Sequence, residues 1–117
     1  MQVSQTTTHD FGATNVNTTN WQELTLVNEN SSTTQIMKDD INAIEFKNES
    51  GSVVEIGVGV SGQSSPPYAI NRIALIAAGR FGKLKTALSR GLAIYVRAVD
   101  TTADQGMLTL NLLRGRK

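Results

Sequence analysis

From Trp21 to Leu113 the chain alternates apolar and polar positions in short runs, the period of strands buried on one face. Residues 21–27 put Leu24 and Leu26 on one side, and the polar run Asn28-Glu-Asn-Ser-Ser32 ends them. Residues 33–37 read as a weak edge strand. Residues 41–47 turn Ile44 and Phe46 inward against Glu45 and Lys47; Asn48-Glu-Ser-Gly51 then supplies turn chemistry before 53–60, so these two segments are predicted to form a hairpin. Ser61 to Pro67 is a loop, because consecutive prolines cannot donate to a ladder. Extended structure resumes over 68–77, and Ala78-Gly79-Arg80 is a turn. Residues 81–88 read as a strand, although Leu84 and Leu88 also fit a period of four. The β-branched segment 92–99, a turn at 100–106 and a last strand at 107–113 complete the pattern. About seven or eight strands predict an all-β chain, an antiparallel β-sandwich or jelly-roll-like fold. Its predicted core includes Leu24, Leu26, Ile44, Phe46, Val54, Ile56, Val58, Val60, Ile73, Leu75, Leu84, Leu88, Ile94, Val96, Leu108, Leu110 and Leu112.

Residues 1–20 break the pattern. They are rich in Thr and Asn, and beyond Met1 their apolar side chains are Val3, Phe11, Ala13 and Val16. Ordering such a segment costs on the order of 20–40 kcal/mol of backbone entropy, which so few apolar groups do not offset. The expectation is an extended polar N-terminal arm (1–20) held by a neighbouring subunit, a β-sandwich domain (21–113) and a basic C-terminal tail (114–117).

The net charge of +1 conceals a split. Residues 1–60 carry eight acids and two bases, a net of −6, whereas residues 61–117 carry nine bases and two acids, a net of +7. Either the halves interleave and the charges mix, or an acidic and a basic face meet on neighbouring molecules. The basic groupings are Arg80, Lys83 and Lys85, and then Arg114, Arg116 and Lys117. Binding of single-stranded nucleic acid also wants stacking rings, and only Phe81 lies near the first group, so the basic groups read as solvated charges or as charges that pair with an acidic partner face.

Covalent chemistry finds little to work with. The chain has no cysteine and one histidine, His9, so neither a disulfide nor a zinc shell is expected. A Ser/His/Asp arrangement would have to recruit His9 from the arm, against the preorganisation such catalysis requires. Asp39-Asp40 and Asp100 with Asp104 are too sparse for a calcium cage. Gly57-x-Gly59-x-x-Gly62 matches a dinucleotide fingerprint as a string, but no helix follows to receive a pyrophosphate, and its glycines read better as a close approach by another backbone. No enzyme activity, cofactor or metal is expected. The chain has no basic, apolar leader and no run of 18 apolar residues, so neither a signal peptide nor a membrane span is predicted. On that basis the sequons at Asn17, Asn30 and Asn48 read as chance. Trp21, Tyr68 and Tyr95 are the plausible platforms for a glycan, although Trp21 could equally plug the end of the sandwich.

Three segments carry a resemblance: Ile44-Glu-Phe-Lys-Asn-Glu-Ser-Gly-Ser-Val-Val-Glu-Ile56, Gly91-Leu-Ala-Ile-Tyr-Val-Arg-Ala98 and Gly106-Met-Leu-Thr-Leu-Asn-Leu112. Over roughly residues 21–113 the chain resembles small virion β-sandwich proteins of tailed bacteriophages, and its polar N-terminus is similar to the arms of capsid decoration, or cement, proteins. The resemblance implies a non-enzymatic protein, made in the host cytoplasm, that sits on the capsid surface and stabilises it by bridging neighbouring subunits. Its partners would be the major capsid protein or other virion subunits, and it would form a homo-oligomer, with a trimer favoured. In that role Val3, Phe11 and Val16 would anchor the arm, while Arg80, Lys83, Lys85, Arg114 and Arg116 would dock an acidic surface. A neck, tail or fibre component and a glycan-binding module remain as alternatives.

Overall fold

The structure, a computed structural model, describes residues 2–12, 19–99 and 106–115. Ten strands follow one another: β1 (Val3–Asp10), β2 (Gln22–Glu23), β3 (Leu26–Asn28), β4 (Thr33–Thr34), β5 (Ile41–Asn48), β6 (Val54–Gly59), β7 (Ile70–Ile76), β8 (Phe81–Leu88), β9 (Ala93–Ala98) and β10 (Met107–Arg114). They form two antiparallel sheets, ordered β4-β3-β1-β10-β5-β8 and β2-β9-β6-β7. Setting aside the β3–β4 hairpin, four strands remain in each sheet, and most connections pass from one sheet to the other. That is the strand order of a jelly roll. The expected all-β sandwich is present. Strands outnumber the expectation because residues 3–10 form β1 and because residues 21–27 split: β2 pairs with β9, the chain crosses at Leu24 and Thr25, and β3 pairs with β1 in the other sheet.

The core lies between the sheets. Leu26, Ile44, Leu108, Leu110 and Leu112 face Val54, Ile56, Ile94 and Val96, all fully buried and each worth about 1.5–3 kcal/mol. Met37, Ile41 and Ile76 join them. Two predicted core residues are outside: Val60 is 69% and Leu75 52% exposed. The β6–β7 register shifts between Ile56 and Gly57, so Ile73 packs inward while Leu75, opposite Glu55, faces solvent. One extra residue in a ladder reverses the faces beyond it.

Residues 48–53 are not a hairpin turn, since β5 and β6 belong to different sheets. Asn48 builds the corner. Its buried Nδ2 lies within hydrogen-bond distance of the Ser52, Ile76 and Ala77 carbonyls (2.9, 3.1 and 3.2 Å), and its Oδ1 accepts from the Ser50 N–H and hydroxyl (3.1 and 2.6 Å). A side chain so fully bonded lets the backbone leave one sheet and enter the other without orphaned polar groups.

The separate N-terminal arm is overturned for the described part of residues 1–20. β1 pairs with β10 along its whole length and with β3 at Gln5 and Thr6. Its inward side chains are polar but satisfied. Gln5, 1% exposed, donates through Nε2 to Asn28 Oδ1 and the Ile36 carbonyl and accepts the Lys38 N–H at Oε1 (2.8, 3.1 and 3.0 Å). Phe11 is a core residue rather than an external anchor; its N–H donates to the Gly106 carbonyl at 3.0 Å. Val3, at the start of β1 opposite Leu113, belongs to the same sheet. Val16 lies outside the described residues, as does Arg116.

Candidate functional site

The fold mixes the two charged halves of the chain. Glu55, from the acidic half, is 3.0 Å from Arg97 and 3.8 Å from Arg72. Arg114 pairs with Glu29 and, at 3.5 Å, with Asp39. Its guanidinium therefore clasps β10 to the turn after β3. Lys38 and Lys47 pair with Glu29 and Glu49 (3.9 and 3.6 Å). Such half-exposed pairs contribute little stability, about 0–1 kcal/mol each, but they neutralise charge locally.

Among the described cations only Arg80, Lys83, Lys85 and Arg90 form no ion pair. Three of these are the predicted first basic group, and the structure brings them together on or beside β8, the outer strand of the six-stranded sheet. Alternation turns Phe81, Lys83 and Lys85 to solvent and Leu84 and Leu88 toward the core. Register sets Phe81 opposite Lys47, Lys83 opposite Glu45 and Lys85 opposite Ala43. Arg80 is positioned by the Asn48 corner, whose N–H donates to the Arg80 carbonyl at 2.8 Å. Phe81, 76% exposed, is the most exposed large apolar side chain described. An exposed aromatic ring thus lies among cations that form no ion pair.

A second constellation lies at the other edge of the four-stranded sheet. Asn20, Trp21, Gln22, Glu23, Gly62, Gln63, Ser64 and Tyr68 line a cleft of about 310 Å³. Glu23, on β2, accepts from the Ser61 hydroxyl and from the Gly62 N–H at 2.7 Å. Gly62 does this at φ 94°, a conformation that side chains with a Cβ resist. The Tyr95 hydroxyl donates to the Val60 carbonyl at 2.6 Å, accepts the Gln63 N–H at 3.2 Å and lies 3.2 Å from Glu23. Burial pushes its phenol above the ordinary tyrosine value. Gln63 returns to Ala69, accepting its N–H and donating to its carbonyl. The 60–69 loop is thereby fastened to the sheet. Behind it, Arg97 stacks on the Trp21 ring, 4.5 Å from the centroid, and Ile70 crosses Gly57 so closely that a Cβ there would lie 2.5 Å from it. The glycines of the string at 57–62 thus serve close approach and a turn.

No protein-family model, curated protein or solved structure matches this chain.

The three aromatic residues singled out in the sequence divide accordingly. Trp21 and Tyr68 share the cleft, whereas Tyr95 is fully buried and acts as a strut beneath it. Glu23 and Gln63 were not visible as members of any site, since nothing local marks a carboxylate whose partners are nearly 40 residues away. Of the other sequence candidates, Asp39 accepts from the Ser4 hydroxyl and Asp40 accepts the Arg90 N–H, while Asp100 and Asp104 lie outside the described residues. Among the described residues no cluster of three or more His, Asp or Glu could hold a metal ion, and no helix is long and apolar enough to cross a membrane.

Proposed function

We propose that this protein is a non-enzymatic virion structural protein that decorates a phage capsid, bridges neighbouring capsid subunits and docks through β8. The phage setting comes from the resemblance in sequence pattern. The docking role rests on one observation: Arg80, Lys83 and Lys85 are left without counter-ions around a ring exposed to 76%. Lysines on an edge strand also discourage unwanted strand pairing, but a protective edge has no use for an exposed phenylalanine. Phe81 would enter an apolar recess on an acidic capsid surface while the cations around it set orientation and on-rate. A homotrimer would present three such edges, and repetition on a lattice raises the effective concentration of each weak contact.

The test is co-sedimentation of purified protein with expanded capsid shells lacking it, alongside light scattering for oligomeric state. Binding should weaken as salt rises, disappear in Phe81→Ser and in the Lys83→Glu/Lys85→Glu double variant, and leave the melting temperature of both unchanged. Shells that bind nothing, or variants that bind as tightly as the parent, would overturn the reading.

A further inference from the structure

We infer that the cleft between Trp21 and Tyr68 binds a neutral saccharide. The site is independent of the β8 edge. Its walls come from β2 with the residues before it and from the β6–β7 loop of the four-stranded sheet, and it shares no residue with β8 of the other sheet. At about 310 Å³ it falls at the small end of ligand sites, room for one or two sugar rings.

Its lining combines two ring systems with the amides of Asn20, Gln22 and Gln63 and the hydroxyl of Ser64. A pyranose has the matching surface, because its C–H faces pack on aromatic rings while its equatorial hydroxyls donate to and accept from amides. Charge narrows the class further. Among the described residues of the lining Glu23 is the only carboxylate and no cation is present, and both oxygens of Glu23 are occupied by loop donors, the Ser61 hydroxyl and the Gly62 N–H. The nearest cation, Arg97, is committed to Glu55 and to the Trp21 ring. A phosphate or carboxylate would find no cation to receive it, whereas an uncharged polyol needs none. The loop is also set in advance, since Gln63, Glu23 and Tyr95 tie it down and binding need not order it.

Trp21 is the sole tryptophan, so its emission reports on the cleft. A printed glycan array should identify a neutral ligand class. Titration of the intact protein with maltose, cellobiose and N,N′-diacetylchitobiose should then give a saturable change with at least one of them. Tyr68→Ala should weaken that binding by about tenfold or more, the loss expected for one aromatic contact, without lowering the melting temperature. Ser64→Tyr, which fills the cleft from its exposed rim, should abolish it. Absence of neutral-sugar binding, a response that survives both variants, or binding confined to anionic glycans and lost in Lys83→Glu/Lys85→Glu would each overturn the assignment.

Discussion

β1 and β8 are strands of equal length in one sheet, yet β1 is held on both sides and β8 on one. β1 lies between β10 and β3, and its inward Gln5 is bonded on both amide atoms. β8 pairs only with β5 and turns Phe81, Lys83 and Lys85 to solvent. The polar strand is the structural one and the strand carrying the ring is the available one. Polar side chains can occupy an interior when every donor and acceptor is met, and charges left unmatched at an edge remain free for a second molecule.

Deletion of residues 1–12 is the harshest way to break this contrast. It strips β10 and β3 of a shared neighbour and empties the Phe11 position, so we expect loss of the folded state, read as collapse of amide dispersion in NMR spectra. Gln5→Leu is the sharper version. It leaves Asn28 Oδ1, the Ile36 carbonyl and the Lys38 N–H facing an apolar group, at about 1–3 kcal/mol for each buried group left unsatisfied, measurable as a lower urea midpoint with an unchanged slope.

A third prediction concerns His9, inward on β1 and edge-on to Phe11 at 4.6 Å. Burial lowers its pKa below 6.5, against a smaller opposing effect of Asp10. The unfolded chain therefore takes up this proton first as pH falls. The stability associated with neutral His9 is complete above pH 6.5 and is lost as pH drops through the folded value. His9→Gln should flatten that part of the stability profile in urea titrations. The smallest effect belongs to β8: Phe81→Ser or Lys85→Glu should shift the unfolding free energy by no more than about 0.5 kcal/mol, and a larger loss would make the edge structural.

The same contrast explains what the sequence disclosed. Period-two alternation located the strands from β5 onward, because their inward residues are apolar and the signal is local. It missed β1, whose inward positions are Gln5, Thr7 and His9 and whose place depends on partners at the far end of the chain. It took the corner at Asn48 for a hairpin, since a turn looks alike whether the next strand returns beside the first or crosses to the opposite sheet. Of the site residues, the cluster at 80–85 was readable as a run of charge. That those charges form no ion pair was not, because pairing depends on which acids the fold brings into contact with Arg72, Arg97 and Arg114.

The position of β10 has a consequence for how the molecule is made. It fills the slot between β1 and β5, so Gln5 must wait for Leu112 before its ladder can close. On the ribosome the longer sheet stays split into two pieces until the closing segment emerges. Contacts this distant in sequence form slowly, and the half-built sheet would meanwhile offer raw edges to its neighbours. Closure of the longer sheet thus waits for β10, and contact between unfinished copies is its main hazard.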